Sequence, residues 1–187
     1  MPLKKERTMP TYAKRPEYET PPEGGPFLAV CADFIGPWTE ERKAEYGGGL
    51  VDKIEYVWLL IDEINPKTNK PFRVSRRYTL SVNEKSTLYA HNKAWRGRAF
   101  TDDVYEFDME SNVGEMAQLT IVHNDTPKGT FANVDAVMAA PKGAPKLPIP
   151  TWFVRKKDRE RVPTTVGATR GRQPGEDEDD PFDGAMG

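Results

Sequence analysis

The chain has 187 residues, enough for one domain with a real core plus appended segments. Apolar residues make up 37%, no apolar run approaches the roughly 20 residues of a membrane-spanning helix, and a single cysteine, Cys31, excludes an internal disulfide framework. The formal net charge of −2 argues against a polyanion as ligand only until its distribution is considered: residues 173–187 hold six acids and no base, and the remainder carries 27 bases against 23 acids.

In chain order, residues 1–25 contain Pro2, Pro10, Pro16, Pro21, Pro22 and Gly24-Gly25, a composition that cannot repay the entropy of ordering. We expect an extended arm. It lacks the apolar stretch of a secretory signal, and Lys4, Lys5, Arg7, Lys14 and Arg15 are either phosphate contacts or part of a solvated leader. Residues 26–35 read as strand 1, with Cys31 packed in an apolar run and Gly36-Pro37 as its stop. A long polar loop ending in Gly47-Gly48-Gly49 follows, and it carries Trp38, Arg42 and Lys43. The glycines lack the lysine and following helix of a phosphate loop and read as a hinge.

Strand 2, residues 53–61 beginning at Lys53, is apolar on both faces: Val57, Leu59 and Ile61 on one, Ile54, Tyr56, Trp58 and Leu60 on the other. Residues 65–71 form a hairpin turn with Lys67 and Lys70 at its tip. Strand 3, residues 72–80, alternates Phe72, Val74, Arg76 and Tyr78 against Arg73, Ser75, Arg77 and Thr79. The period then changes: residues 81–95 predict a helix capped by Ser81 or Asn83 and ending at Gly97. A loop with a helical turn near residues 108–113 leads to strand 4 at 116–123 and strand 5 at 130–138. This succession, three strands, a helix and two strands over residues 26–140, is that of a five-stranded OB-fold barrel. Residues 141–172 read as a proline-rich, then basic linker, in which Trp152, Phe153 and Val154 are candidates to pack back. Residues 173–187 read as a disordered acidic tail.

The runs VSRRYTLSVNEKSTL, WRGRAFT, FDMESNVG, IVHN and FANVDAV resemble a family of phage-encoded OB-fold proteins that bind single-stranded DNA or accompany replication; the likeness covers about residues 26–140. The resemblance implies a role in phage replication or recombination, in the cytoplasm of an infected bacterial host. Separately, EDEDDPF resembles the acidic tip with which bacterial single-stranded DNA-binding proteins recruit partners; the match is Asp179, Asp180, Pro181 and Phe182, with five residues following Phe182.

Single-strand binding needs cations for phosphates and exposed π faces for unstacked bases. We expect the aliphatic set of strand 2 to fill the interior, leaving Tyr56 and Trp58 outside as stacking platforms. Arg73 and Arg77 would face phosphates, joined by Arg76 if a bulge shifts the register, with Lys53, Trp38, Arg42, Lys43, Lys67 and Lys70 around them. The competing possibility is that both aromatics are core and the arginines a solvated face. Catalysis is not expected: His91 and His123 are the only histidines, His123 suits a strand-end backbone hydrogen bond, Asp102-Asp103 suit a helix cap, and no nucleotide-loop, serine-hydrolase or paired-cysteine motif occurs. No cofactor is implied. The alternative function is an OB-fold module that binds proteins, as an adaptor or host-targeting factor, without strong DNA binding. Monomer and dimer both remain open.

Overall fold

The computed structural model describes residues 19–97, 100, 107–127 and 129–159. Its elements are β1 (Gly24–Glu41), a 3-10 turn (Ala44–Tyr46), β2 (Leu50–Asn65), β3 (Lys70–Thr79), α1 (Thr87–Arg96), a 3-10 turn (Met109–Asn112), β4 (Met116–Thr126), β5 (Gly129–Ala139) and α2 (Lys156–Arg159). The strands form one antiparallel sheet in the order β3-β2-β1-β4-β5. The fold is mainly β, and its element order is the one expected. Among the described residues no backbone ladder joins the two edge strands, β3 and β5. Arg76 of β3 instead reaches across the gap, its guanidinium donating to the carbonyl oxygens of Val134 and, at 3.2 Å, Asp135.

The faces of β2 are reversed from expectation. Tyr56 and Trp58 are 1% and 0% exposed and sit with Ile54, Leu60, Phe72, Val74 and Tyr78 in the main core, closed by Leu88 and Trp95 of α1. Tyr56 is the hub of four ring contacts, with Phe34, Trp58, Tyr78 and Trp95, at 5.6–6.0 Å between centroids. The physical reason is area. Each large ring removes about 150–250 Å² from water, so the face rich in aromatics has most to gain from α1. The aliphatic face is covered as well: Leu59 packs with Val30 and Ala32 beneath Ile149 and Phe153 of the C-terminal segment. A strand buried on both faces offers no alternation by which to choose between them.

Three boundaries also differ. β1 does not stop at Gly36-Pro37; it runs on to Glu41 after a register shift between Ile35 and Trp38. Gly36 is required there, because its φ is +116° and a Cβ would lie 2.8 Å from the Lys53 carbonyl oxygen. The long first loop accordingly shrinks to residues 42–49. The Arg42 N–H donates to the Gly49 carbonyl oxygen, and the three glycines, all at positive φ, form a tight turn where a hinge was expected. Finally, α1 begins at Thr87 under a Ser86 cap whose hydroxyl accepts from the Tyr89 N–H at 3.1 Å, whereas Ser81 and Asn83 close local turns on Asn83 and Lys85. Short polar side chains that bond their own backbone compete with helix extension.

The segment expected to be a linker is docked as far as residue 159. Asp33, fully buried, accepts from Arg155 Nε at 3.0 Å and from the Lys156 N–H at 2.7 Å. Arg155 and Lys157 both donate to Glu110 Oε1 at 2.6 Å. The Arg155 hydrogen bond holds the Glu110 carboxyl down at about 2. Phe153 packs as anticipated, whereas Trp152 and Val154 are exposed. Cys31 is fully buried and burial pushes its thiol up, as its packing role requires. His123 makes the expected backbone hydrogen bond, 2.8 Å from the Pro21 carbonyl oxygen. No described helix is long and apolar enough to cross a membrane.

Candidate nucleic-acid interface

The turn after β3 brings five cations together. β1 delivers Arg42 at its hairpin, β2 delivers Lys53, β3 delivers Arg76 and Arg77, and the approach to α1 delivers Lys85; all five line one groove of about 640 Å³. The rest of its lining includes the hydroxyls of Thr79, Ser81, Ser86 and Thr87, and among the described residues it contains no carboxylate. The start of α1, a helix end that carries partial positive charge, lines the same groove through Ser86, Thr87 and Leu88. Lys53 Nζ is held 2.8 Å from Thr79 Oγ1, and the Arg77 guanidinium stands 5.8 Å over the Trp38 ring. A concave wall with cations, hydroxyls and no acid concentrates anions.

β3 pairs with β2 so that Arg76 faces Tyr56 and Arg77 faces Glu55, with no shift between residues 73 and 79. Arg76 therefore points with the core residues and closes the gap to β5 without any bulge, its guanidinium 5.7 Å over the Tyr78 ring. Tyr78 in turn places its hydroxyl 2.9 Å from His91 Nδ1. Burial, and then the charge of Arg76, lower the pKa of His91. Arg73 and Arg77 project outward; Arg77 Nε lies 3.6 Å from Glu55 Oε2 with its side chain 68% exposed.

Not every expected residue joins this groove. Tyr56 and Trp58 are sealed in the core and offer no face to a base; the Tyr56 hydroxyl accepts from Asn112 at 2.8 Å. Trp38 lies beside the groove under Arg77, half-buried, with its indole N–H bonded to Glu40 at 2.7 Å. Lys43 is exposed and pairs loosely with Glu45 at 3.8 Å. Lys67 pairs with Glu19 at 2.8 Å, and Lys70 stands 4.7 Å over the Trp152 ring. The hairpin tip lies about 23 Å along β3 from Arg77, at roughly 3.3 Å per residue, so its lysines belong to a different end of the sheet. Arg73 is exposed opposite Leu59, outside the groove lining. Asp179, Asp180, Pro181 and Phe182, like Asp102-Asp103, lie outside the described residues.

Two groups escape a reading by motif. Lys85 sits among polar residues that read as a helix cap. Phe131 of β5 is 50% exposed on the far side of Arg76 and Arg77, in a second groove of about 780 Å³. Its signal was present: in FANVDAV an aromatic shares the polar face with Asn133, while Ala132 and Val134 face the core. No family model matches this chain and no curated protein is significantly similar to it, so a functional reading rests on these residues themselves.

Proposed function

We propose that the chain is a non-enzymatic single-stranded DNA-binding protein built on an OB-fold-like barrel, acting in a phage replication or recombination system. The observation that carries the reading is the groove of Arg42, Lys53, Arg76, Arg77 and Lys85 at the start of α1, which no carboxylate lines among the described residues. The barrel reading draws on the strand order, in which only β3 and β5 remain to be joined, and on the Arg76 bridge between them. Phosphates occupy the groove and release counterions. The phage context and partner recruitment by the acidic tail rest on the resemblances alone, whereas competition of the tail with DNA for the cations rests on its charge, six acids on a chain whose remainder is net basic. The test is a salt series of binding to a labelled single-stranded oligonucleotide. Binding that falls steeply with salt in the wild type, with a slope reduced by about 2 in Arg42→Ala with Lys53→Ala and Lys85→Ala, supports the reading. Salt-independent binding, or none, rejects it.

A second reading, a protein-interaction module, is favoured by one feature. An apolar groove of about 600 Å³ opens between Phe34, Pro37, Leu80, Val82 and Phe107. Leu80 and Val82 are 36% and 41% exposed there.

A further inference from the structure

The second groove lies along the seam between β3 and β5, and its chemistry differs from that of the cationic one. Arg76 and Arg77 line both grooves, so the two are continuous across these side chains. Beyond them, among the described residues, the seam has the half-exposed Phe131 ring and the carboxylates of Glu55 and Asp135, with Asn133 beside them. A wall of that composition repels phosphate and suits a neutral, flat group with hydrogen-bond donors on its rim. Glu55 is already oriented, its Oε2 lying 3.6 Å from Arg77 Nε with its side chain only 16% exposed. Asp135 occupies the extra position of β5 where the register with β4 shifts: Ala136 faces Thr120 and Val134 faces Ile121, which leaves Asp135 unpaired and exposed.

We propose that the seam groove is a nucleobase subsite of the strand-binding surface. The base lies on the Phe131 ring, and the carboxylates of Glu55 and Asp135 accept from its exocyclic amino group, while its flanking phosphates sit on Arg76 and Arg77. Cytosine presents an amino donor where thymine presents a carbonyl acceptor, and carboxylates accept from the cytosine amine but repel the thymine oxygen. The protein therefore reads composition at this position: strands rich in cytosine bind more tightly than strands of thymine. This inference rests on the single-strand reading above and adds selectivity to it.

The experiment measures affinities for oligo-dC and oligo-dT of equal length at neutral pH, for the wild type, Phe131→Ala, Phe131→Trp and Glu55→Gln combined with Asp135→Asn. The expected wild-type preference for oligo-dC is about fivefold or more. Phe131→Ala weakens both oligonucleotides by about tenfold, and Phe131→Trp restores them, because a stack needs a ring of either kind. The double amide variant binds both strands and loses the preference, since an amide donates to thymine as readily as it accepts from cytosine. If the wild type binds both strands alike, or the preference survives the double amide variant, or Phe131→Ala binds as the wild type does, the subsite is refuted while the cationic groove stands. If the wild type binds neither strand, the underlying reading falls and the subsite falls with it.

Discussion

The two ends of β3 carry the same kinds of residue to different fates. At its beginning, Lys70 lies over the Trp152 ring, and Lys67 in the adjoining turn pairs with Glu19. At its end, Arg76 and Arg77 meet Arg42, Lys53 and Lys85 around a concavity that no carboxylate lines among the described residues. A basic, aromatic stretch of sequence is thus split into a half held by the chain's own flanking segments and a half whose arginines, although Arg76 bridges to β5 and Arg77 lies near Glu55, converge with other cations on a groove. Surface cations with internal partners contribute little to stability and offer little to a ligand; converging cations without acids raise the local potential. The difference between the ends lies in what surrounds each cation.

The comparison can be tested by substitutions that act on stability, on binding, or on neither. The largest effect is expected from Trp58→Ala, which removes a fully buried ring from the main core and costs about 3–5 kcal/mol in denaturant unfolding. Its folded fraction should bind a labelled strand as the wild type does. A stable Trp58→Ala protein that has lost binding would return Trp58 to the interface. Next, Arg155→Ala leaves the buried Asp33 carboxylate without its guanidinium and should destabilise by about 3 kcal/mol, measured in the same way, while leaving the salt dependence of binding unchanged.

The docking of Arg155 and Lys157 on Glu110 also has a pH dependence. Glu110 has its carboxyl held down at about 2 by the Arg155 hydrogen bond, below its value in the unfolded chain. The stability it contributes is fully present above the unfolded value, near 4.3, and is lost as pH falls toward 2. Thermal melts of the wild type and Glu110→Gln should therefore converge across that window and differ by a constant amount above pH 5. A variant with the wild-type slope through the window would show that Glu110 is not the titrating partner. The smallest effect belongs to the quiet end of β3: Lys70→Ala should change stability by no more than about 0.5 kcal/mol and leave the salt slope of binding intact. A slope reduced as far as that of the Arg42, Lys53 and Lys85 variant would erase the distinction between the two ends.

Element order, the hairpin turn at Asn65, the alternation of β3 and the burial of Cys31 were legible in the sequence because each rests on short-range chemistry. Turn residues set the first, and a period of two set the alternation that sends Arg73 and Arg77 outward and Arg76 with the core. The facing of β2 was not legible, since Tyr56 and Leu59 are both buried and only the docking of α1 on one side and of Ile149 and Phe153 on the other assigns them. Nor was the candidate site. Its cations come from four separate places, residues 42, 53, 76–77 and 85, and sequence spacing carries no information about which of them converge. By itself the sequence determined a mainly β chain of five strands and one helix with a basic third strand. The tertiary structure alone decided which aromatic residues are core and which cations share a groove, because long-range packing chooses among faces that local patterning leaves equivalent.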